Sequence, residues 1–140
     1  MSANSRKPSK LPRGIRNNNP LNIRIGNVWL GEVAQPTDRE FEQFVSMAYG
    51  IRAAFVLLRR YIRHYKLTTI REIVSRWAPS SENATSIYIA NVAKWVGISA
   101  DQPMKYEDEV TMAKLLLAMA HQETGQWLKE ADVVKGYQMA

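Results

Sequence analysis

The stretch RGIRNNNPLNIR, residues 13–24, is the part of the chain around which we expect the fold to be organised. Three consecutive asparagines precede Pro20, and asparagine tolerates positive φ while its side-chain carbonyl accepts nearby backbone N–H groups. The stretch therefore predicts a turn. Its four asparagines and three arginines also supply planar donors and acceptors suited to sugar hydroxyls, acetamido groups, carboxylates or phosphates. A purely structural turn is the alternative role for each asparagine.

Directly after this turn, the sequence predicts a small antiparallel sheet. Apolar and polar residues alternate over residues 21–25, which is the period of a β-strand. Gly26-Asn27 is a hairpin signal, and residues 28–30 would return antiparallel to the first strand. Residues 40–44 can add a third short strand.

The remainder of the chain has helical periodicity. A capping-box sequence at Thr69–Glu72 predicts one helix start, Pro79 predicts the end of the same helix, and Gly97 suits a left-handed C-cap. The expected fold class is therefore α+β and mainly α, with a small N-terminal hairpin or sheet followed by about five helices. The predicted helices cover approximately residues 46–65, 69–78, 85–95, 106–124 and 128–137.

The length and the charge distribution predict one folded domain with a basic arm. A chain of 140 residues suffices for a single core, which we assign to residues 13–140. Residues 1–12 contain little that is apolar and are expected to be a flexible arm. Five of the 19 lysines and arginines lie within residues 1–16, and the other 14 nearly balance the 13 acidic residues. The expected domain is therefore close to neutral, unlike a uniformly basic nucleic-acid binder.

Several kinds of chemistry are excluded by composition. The chain has no cysteine, so disulfides, thiolate-bound zinc and thiol catalysis are ruled out. His64 and His121 are the only histidines, and neither belongs to an HExxH motif or a His/Asp cluster. We therefore expect no metal and no cofactor. Neither a signal peptide nor a membrane-spanning run is predicted.

The 13–24 stretch and four later motifs together resemble a family of short bacteriophage and prophage proteins, usually labelled as phage structural or virion-associated proteins. The resemblance implies a protein made in the bacterial cytoplasm that becomes associated with a virion or is delivered to the cell wall. Its partners would be other virion proteins or peptidoglycan glycan strands. The four later motifs are VWLG at residues 28–31, FEQF at 41–44, YGIRA at 49–53 and RWAPSSEN at 76–83.

A second resemblance concerns residues 122–125, Gln-Glu-Thr-Gly, which close an otherwise apolar helix. This segment resembles the Glu-Ser/Thr-Gly segment that ends the catalytic helix of lytic transglycosylases and lysozyme-like glycosidases. It implies a lysozyme-like fold with Glu123 as the catalytic acid. Because the predicted hairpin precedes this helix instead of following it, the order requires a circular permutation. A simple helix terminator is the alternative interpretation of the same segment.

Other residues compete for a place in the site. Glu82 is a rival catalytic carboxylate in a loop, where functional residues concentrate. The alternative is that Glu82 or Asn83 caps the third predicted helix. Asp38, Glu40 and Glu42 lie near the predicted sheet and could supply a second acid. The residues expected to bind substrate are Arg16, Asn17, Asn18, Asn19, Asn22, Trp29 and Asn83.

Three functions remain open from the sequence. The first is a peptidoglycan-active, lysozyme-like protein, either a glycosidase or a lytic transglycosylase, that binds or cleaves cell-wall glycan strands. The second is a non-catalytic virion or assembly component. The third, nucleic-acid binding, would use residues 92–99 as part of a helix-turn-helix.

Overall fold

A computed structural model of the protein describes residues 11–78 and 81–140. Residues 1–10 of the predicted arm, and Pro79 at the predicted helix end, lie outside this part of the chain. The described residues form six helices and no β-strand. These helices are α1 (Arg13–Arg16), α2 (Met47–Arg63), α3 (Ile70–Trp77), α4 (Glu82–Val96), α5 (Glu109–Thr124) and α6 (Glu130–Met139).

The predicted α+β, lysozyme-like fold with an N-terminal hairpin is wrong. Residues 21–45 form an irregular segment that contains two isolated antiparallel bridges, Arg24 with Phe41 and Glu32 with Phe44. The residues after Gly26-Asn27 do not pair with residues 21–25; instead, the backbone N–H of Ile25 donates to the carbonyl of Glu40 at 3.0 Å. The described residues therefore contain no sheet on which a hairpin could be placed.

The buried side chain of Asn19 explains why residues 21–25 do not continue as a strand. Its Nδ2 donates to the carbonyls of Ile23 and Glu42 at 2.9 and 3.0 Å, and its Oδ1 accepts the N–H of Ile23 at 2.9 Å. These contacts occupy backbone groups that a neighbouring strand would otherwise bind. Asn22 has φ 53°, a left-handed conformation that also interrupts an extended strand. The alternation seen in the sequence reflects the burial of Leu21 and Ile23 only.

The stretch 13–24 begins as one turn of helix and then turns back beneath α2. Residues Arg13–Arg16 form α1, and Asn18 adopts the left-handed conformation with φ 53°. The carbonyl of Asn18 lies so close to Gly50 of α2 that a Cβ at that glycine would be 1.7 Å from the oxygen. Only glycine permits this approach, so Gly50 fixes where the asparagine-rich turn meets the helical core.

The ends of several helices follow the chemistry that the sequence predicts. Thr69 and Glu72 form a reciprocal capping box at the start of α3. Gly97 ends α4 in the left-handed conformation with φ 86°, and Gly125 ends α5 with φ 75°. The predicted fourth helix starts at Glu109, three residues later than expected, because the Asp108 side chain accepts the N–H of Thr111 and caps it there.

The hydrophobic core is built around α2. Ile51, Phe55 and Leu58 of this helix are fully buried, and burial of such a side chain typically contributes about 1.5–3 kcal/mol. The last helix, α6, packs closely across α2, since a Cβ at Gly136 would lie 2.4 Å from Cγ2 of Ile51. The ring of Tyr137 meets that of Phe55 edge to face at 5.2 Å. The C-terminal helix is therefore part of the core.

We expect Asn19→Ala to lower the free energy of unfolding by about 3 kcal/mol, because it leaves buried backbone groups of Ile23 and Glu42 without partners. Urea denaturation measures this change. Asn27→Ala, at an exposed position, is the matched control and should change stability by less than about 0.5 kcal/mol. Equal stabilities of the two variants would contradict the structural role of Asn19.

Candidate functional site

A cleft of about 370 Å³ opens beside the C-terminal end of α5, and we call it the Glu123 cleft. One side is formed by the segment that follows the asparagine-rich turn, and another by the end of α3. The cleft thus lies where three separate parts of the chain meet. Its lining residues are Leu21, Asn22, Arg24, Phe41, Trp77, Ala78 and Glu123.

The carboxyl group of Glu123 is held by two hydrogen bonds from different elements. Nδ2 of Asn22 donates to Oε1 at 2.9 Å, and the hydroxyl of Tyr88 on α4 donates to Oε2 at 3.0 Å. The left-handed backbone of Asn22 turns its amide toward α5. The two donors fix the position of Glu123 and connect the asparagine-rich turn with α4 and α5.

Burial raises the pKa of Glu123 above its ordinary value, because desolvation disfavours the charged form. The hydrogen bonds from Asn22 and Tyr88 act in the opposite direction, since they stabilise the carboxylate. Desolvation is the larger effect. The pKa of Tyr88 is also raised, chiefly by burial of the phenol and then by the negative charge of Glu123.

The cleft places one ionisable acid beside planar and aromatic groups. Among the described residues, Glu123 is the only carboxyl that lines it. Arg24 is the cleft's cation, and its Nη1 lies 3.7 Å from a carboxylate oxygen of Glu40. The Trp77 ring is fixed by a hydrogen bond from Nε1 to the carbonyl of Leu21 at 3.3 Å. This arrangement can bind a polar ligand and transfer one proton; it provides no second carboxylate for the two-carboxylate mechanism of many glycosidases.

The three consecutive asparagines use their amides inside the protein. Nδ2 of Asn17 donates to Asp38 at 2.9 Å, and Nδ2 of Asn18 donates to the carbonyl of Phe44 at 3.0 Å. Asn19 is fully buried. Of the asparagines expected to bind substrate, only Asn22 lines the Glu123 cleft. Binding of substrate by the three preceding asparagines stays a prediction.

The remaining predicted residues lie apart from the lining of the cleft. Arg16 is at the end of α1, where its Nε donates to the carbonyl of Leu11 at 3.0 Å. Glu82 and Asn83 are exposed in the first turn of α4, which is capped instead by the Ser81 side chain. Trp29 is half-buried, and its backbone N–H donates to Glu32 at 2.9 Å. Their functional roles likewise stay predictions.

Tyr88 and Trp77 are among the residues of the site that the sequence did not identify as site residues. Tyr88 lies on the buried face of α4 among aliphatic residues, and a buried tyrosine hydroxyl usually finds a polar partner. A tyrosine among the aliphatic residues of a buried helix face was therefore the available signal. Trp77 was not proposed for the site either, although its ring lines the cleft.

The acids near the predicted sheet have structural partners. Asp38 accepts two hydrogen bonds from Arg13, each 2.7 Å long, and further bonds from the backbone N–H groups of Glu40 and Phe41. The guanidinium of Arg13 holds the pKa of Asp38 well below its usual range. Asp38 therefore remains ionised and is unsuited to act as an acid.

Glu42 has the opposite environment. The residue is only 6% exposed, one carboxyl oxygen has no hydrogen-bond partner, and the carboxyl of Glu32 lies against it. Burial raises the pKa of Glu42 to about 7, and the hydrogen bond and charge of Glu32 add to the effect. Glu42 can therefore keep its proton up to about neutral pH.

The structure also bears on the helix-turn-helix suggested at residues 92–99. Residues 92–99 contain the end of α4 and the turn at Gly97, and the next helix begins only at Glu109, too far along for the short turn of a helix-turn-helix. In the described part of the chain, no cluster of three or more His, Asp or Glu side chains could hold a metal ion. None of the described helices has the length and apolarity needed to cross a membrane.

Comparison with known proteins relates most of the chain to a phage protein. Protein P5 of Pseudoalteromonas phage PM2 is 44% identical to this chain over 117 residues. The aligned region covers 81% of this chain and 71% of Protein P5. No protein-family model matches the chain.

We expect the stability of the protein to fall as the pH rises from 4.5, the ordinary pKa of glutamate, to about 7. In this window the unfolded chain releases a proton that folded Glu42 retains, so the free energy of unfolding decreases with pH. Glu42→Gln should flatten the pH profile and be more stable than the wild type above the window. Urea denaturation across the pH range measures this, with exposed Glu130→Gln as the control. Identical pH profiles for wild type and Glu42→Gln would overturn the assignment.

Proposed function

Because the chain belongs to the family of Protein P5 of Pseudoalteromonas phage PM2, we propose that it is a virion-associated protein that works in the phage particle or in its assembly. The shared sequence supports this proposal, since it extends over most of both proteins. Its partners in this role are other virion proteins. This function requires no catalysis, and the compact helical core with its tightly bonded N-terminal segment suits a structural component.

The virion proposal predicts that the full-length chain is present in purified phage particles in a fixed ratio to the other particle proteins. Particles released after induction of the prophage, or from an infected culture, are purified on a density gradient and analysed by quantitative mass spectrometry. A non-virion phage protein synthesised in the same culture is the control. Absence of the chain from intact particles would contradict the proposal.

One observation favours a chemical activity as a second candidate function: the partly buried carboxyl of Glu123 forms part of the wall of an open cleft. A general acid must be protonated near neutral pH and reachable by its substrate. Burial raises the pKa of Glu123, and the cleft gives its carboxyl access to a ligand. The amide of Asn22 and the rings of Phe41 and Trp77 suit a sugar, which presents hydroxyls and apolar faces. The candidate substrate is a peptidoglycan glycan strand.

In such a reaction, protonated Glu123 would donate its proton to the glycosidic oxygen while the bond from that oxygen to the sugar carbon breaks. Water, or a hydroxyl of the sugar itself, would then attack the carbon, and its proton would return to Glu123. Proton donor and acceptor are thus the same group. Because no second carboxyl of the described residues lines the cleft, this proposal depends on Glu123 alone and not on a lysozyme-like fold.

The glycan proposal predicts that the wild type lowers the turbidity of a suspension of purified peptidoglycan and that Glu123→Gln does not. General acid catalysis typically contributes about 10²- to 10⁴-fold in rate, and glutamine keeps the shape but cannot give up a proton. Glu82→Gln, at an exposed site on α4, is the matched control and should clear at the wild-type rate.

The outcomes separate the candidates. Clearing that survives in Glu123→Gln and is lost in Glu82→Gln would transfer the catalytic assignment to Glu82. A correctly folded wild type that is found in particles but clears no peptidoglycan would leave the non-catalytic virion role as the function. Circular dichroism of each variant verifies that the helical fold is kept.

A further inference from the structure

A second concave surface lies along the C-terminal half of α2, and its lining is basic. It is a groove of about 480 Å³, and we call it the arginine groove. Its lining contains three arginines and a histidine but no carboxyl group. The lining residues are Val56, Arg59, Arg60, Arg63, His64 and Tyr65.

The positive charge of α2 is concentrated and poorly compensated. The helix has four arginines and no acidic residue, although the folded domain as a whole is close to neutral. Arg59 and Arg63 are four residues apart, and like charges at this spacing destabilise a helix. One or two cations in the last turn interact favourably with the helix dipole. Arg59 lies before that turn, so the dipole does not explain its presence. The repulsion between neighbouring guanidinium groups therefore favours the binding of an anion there.

Two of the guanidinium groups converge on the same ring. The carbon centres of Arg59 and Arg63 lie 5.7 and 5.2 Å from the centroid of Tyr106. Only Arg63 has a carboxylate partner among the described residues, Glu107, which is exposed. Arg59 and Arg60 have no carboxylate partner in that part of the chain. The groove thus keeps guanidinium groups close together with donors left for a ligand.

The chemistry of these groups favours a phosphate-containing ligand. Guanidinium groups present planar pairs of donors that match phosphate oxygens and bind them in a bidentate manner. Several arginines along one helix suit a repeating anion better than a single one. The groove ends at Tyr65, a residue that is 41% exposed. The guanidinium carbon of Arg76 lies over the Tyr65 ring, 4.1 Å from its centroid. An exposed aromatic ring beside arginines is typical of sites where bases of single-stranded nucleic acid stack.

We propose that the arginine groove binds single-stranded nucleic acid, with Arg59 and Arg60 on the phosphates and Tyr65 stacked against a base. A membrane surface would need several apolar side chains to insert beside the basic residues, and Val56 is the one aliphatic residue in the lining of the groove. This site is separate from the Glu123 cleft and shares no lining residue with it. It therefore does not depend on glycan cleavage.

The test is fluorescence anisotropy of a labelled single-stranded DNA oligonucleotide titrated with the full-length protein at several salt concentrations. Loss of two phosphate contacts in the Arg59→Gln/Arg60→Gln double variant should weaken binding by about tenfold or more at low salt. It should also reduce the slope of log affinity against log salt by about 1.4. Tyr65→Leu should weaken binding but leave the salt slope unchanged, because stacking releases no counterions.

The matched control is Lys94→Gln/Lys114→Gln, which removes the same charge from exposed positions on α4 and α5. It should bind within about twofold of the wild type. Equal weakening by both double variants would mean that net charge, and not the groove, attracts the oligonucleotide, and would overturn the proposal. So would cosedimentation with phosphatidylglycerol vesicles in the absence of oligonucleotide binding, or a wild type that binds neither probe.

Discussion

The side chain of Asn19 holds together the part of the molecule on which the rest depends. From a fully buried position, it bonds both backbone groups of Ile23 and the carbonyl of Glu42. These bonds join the turn to the returning segment without a sheet. They also fix the path of the chain through Leu21 and Asn22, which is the path that brings the Asn22 amide to Glu123. The buried amide of Asn19 thus positions a site in which it takes no direct part.

The carboxyl groups near this turn differ sharply because their surroundings differ. Asp38 is surrounded by donors, including the guanidinium of Arg13, so its pKa is lowered. Glu42 is buried against another carboxyl, so its pKa is raised. Burial raises the pKa of Glu123, although the hydrogen bonds from two donors oppose this effect. Chemically similar side chains are therefore divided into an ion that holds the turn together and two acids whose protonated form is favoured by burial.

The folded chain separates two kinds of surface that composition alone does not distinguish. The Glu123 cleft combines one acid with amide and aromatic groups, and it suits a polar, uncharged ligand such as a sugar. The arginine groove on α2 combines three guanidinium groups with an exposed tyrosine ring, and it suits a polyanion. Under the two proposals, the protein would contact the cell wall and nucleic acid through separate surfaces of one small domain.

Elements whose signals are local could be predicted from the sequence. The helical periodicity, the Thr69 capping box and the left-handed C-cap at Gly97 each depend on residues within one or two turns, and the structure confirms them. The predicted hairpin does not form because the buried Asn19 amide, and not a neighbouring strand, binds the backbone N–H and carbonyl groups after the turn. The meeting of Asn22 and Tyr88 at Glu123 could not be predicted, because these residues are far apart in the chain and come together only through tertiary packing. Tertiary packing likewise gathered the arginines of α2 beside Tyr106, since such contacts depend on how helices pack and not on local pattern.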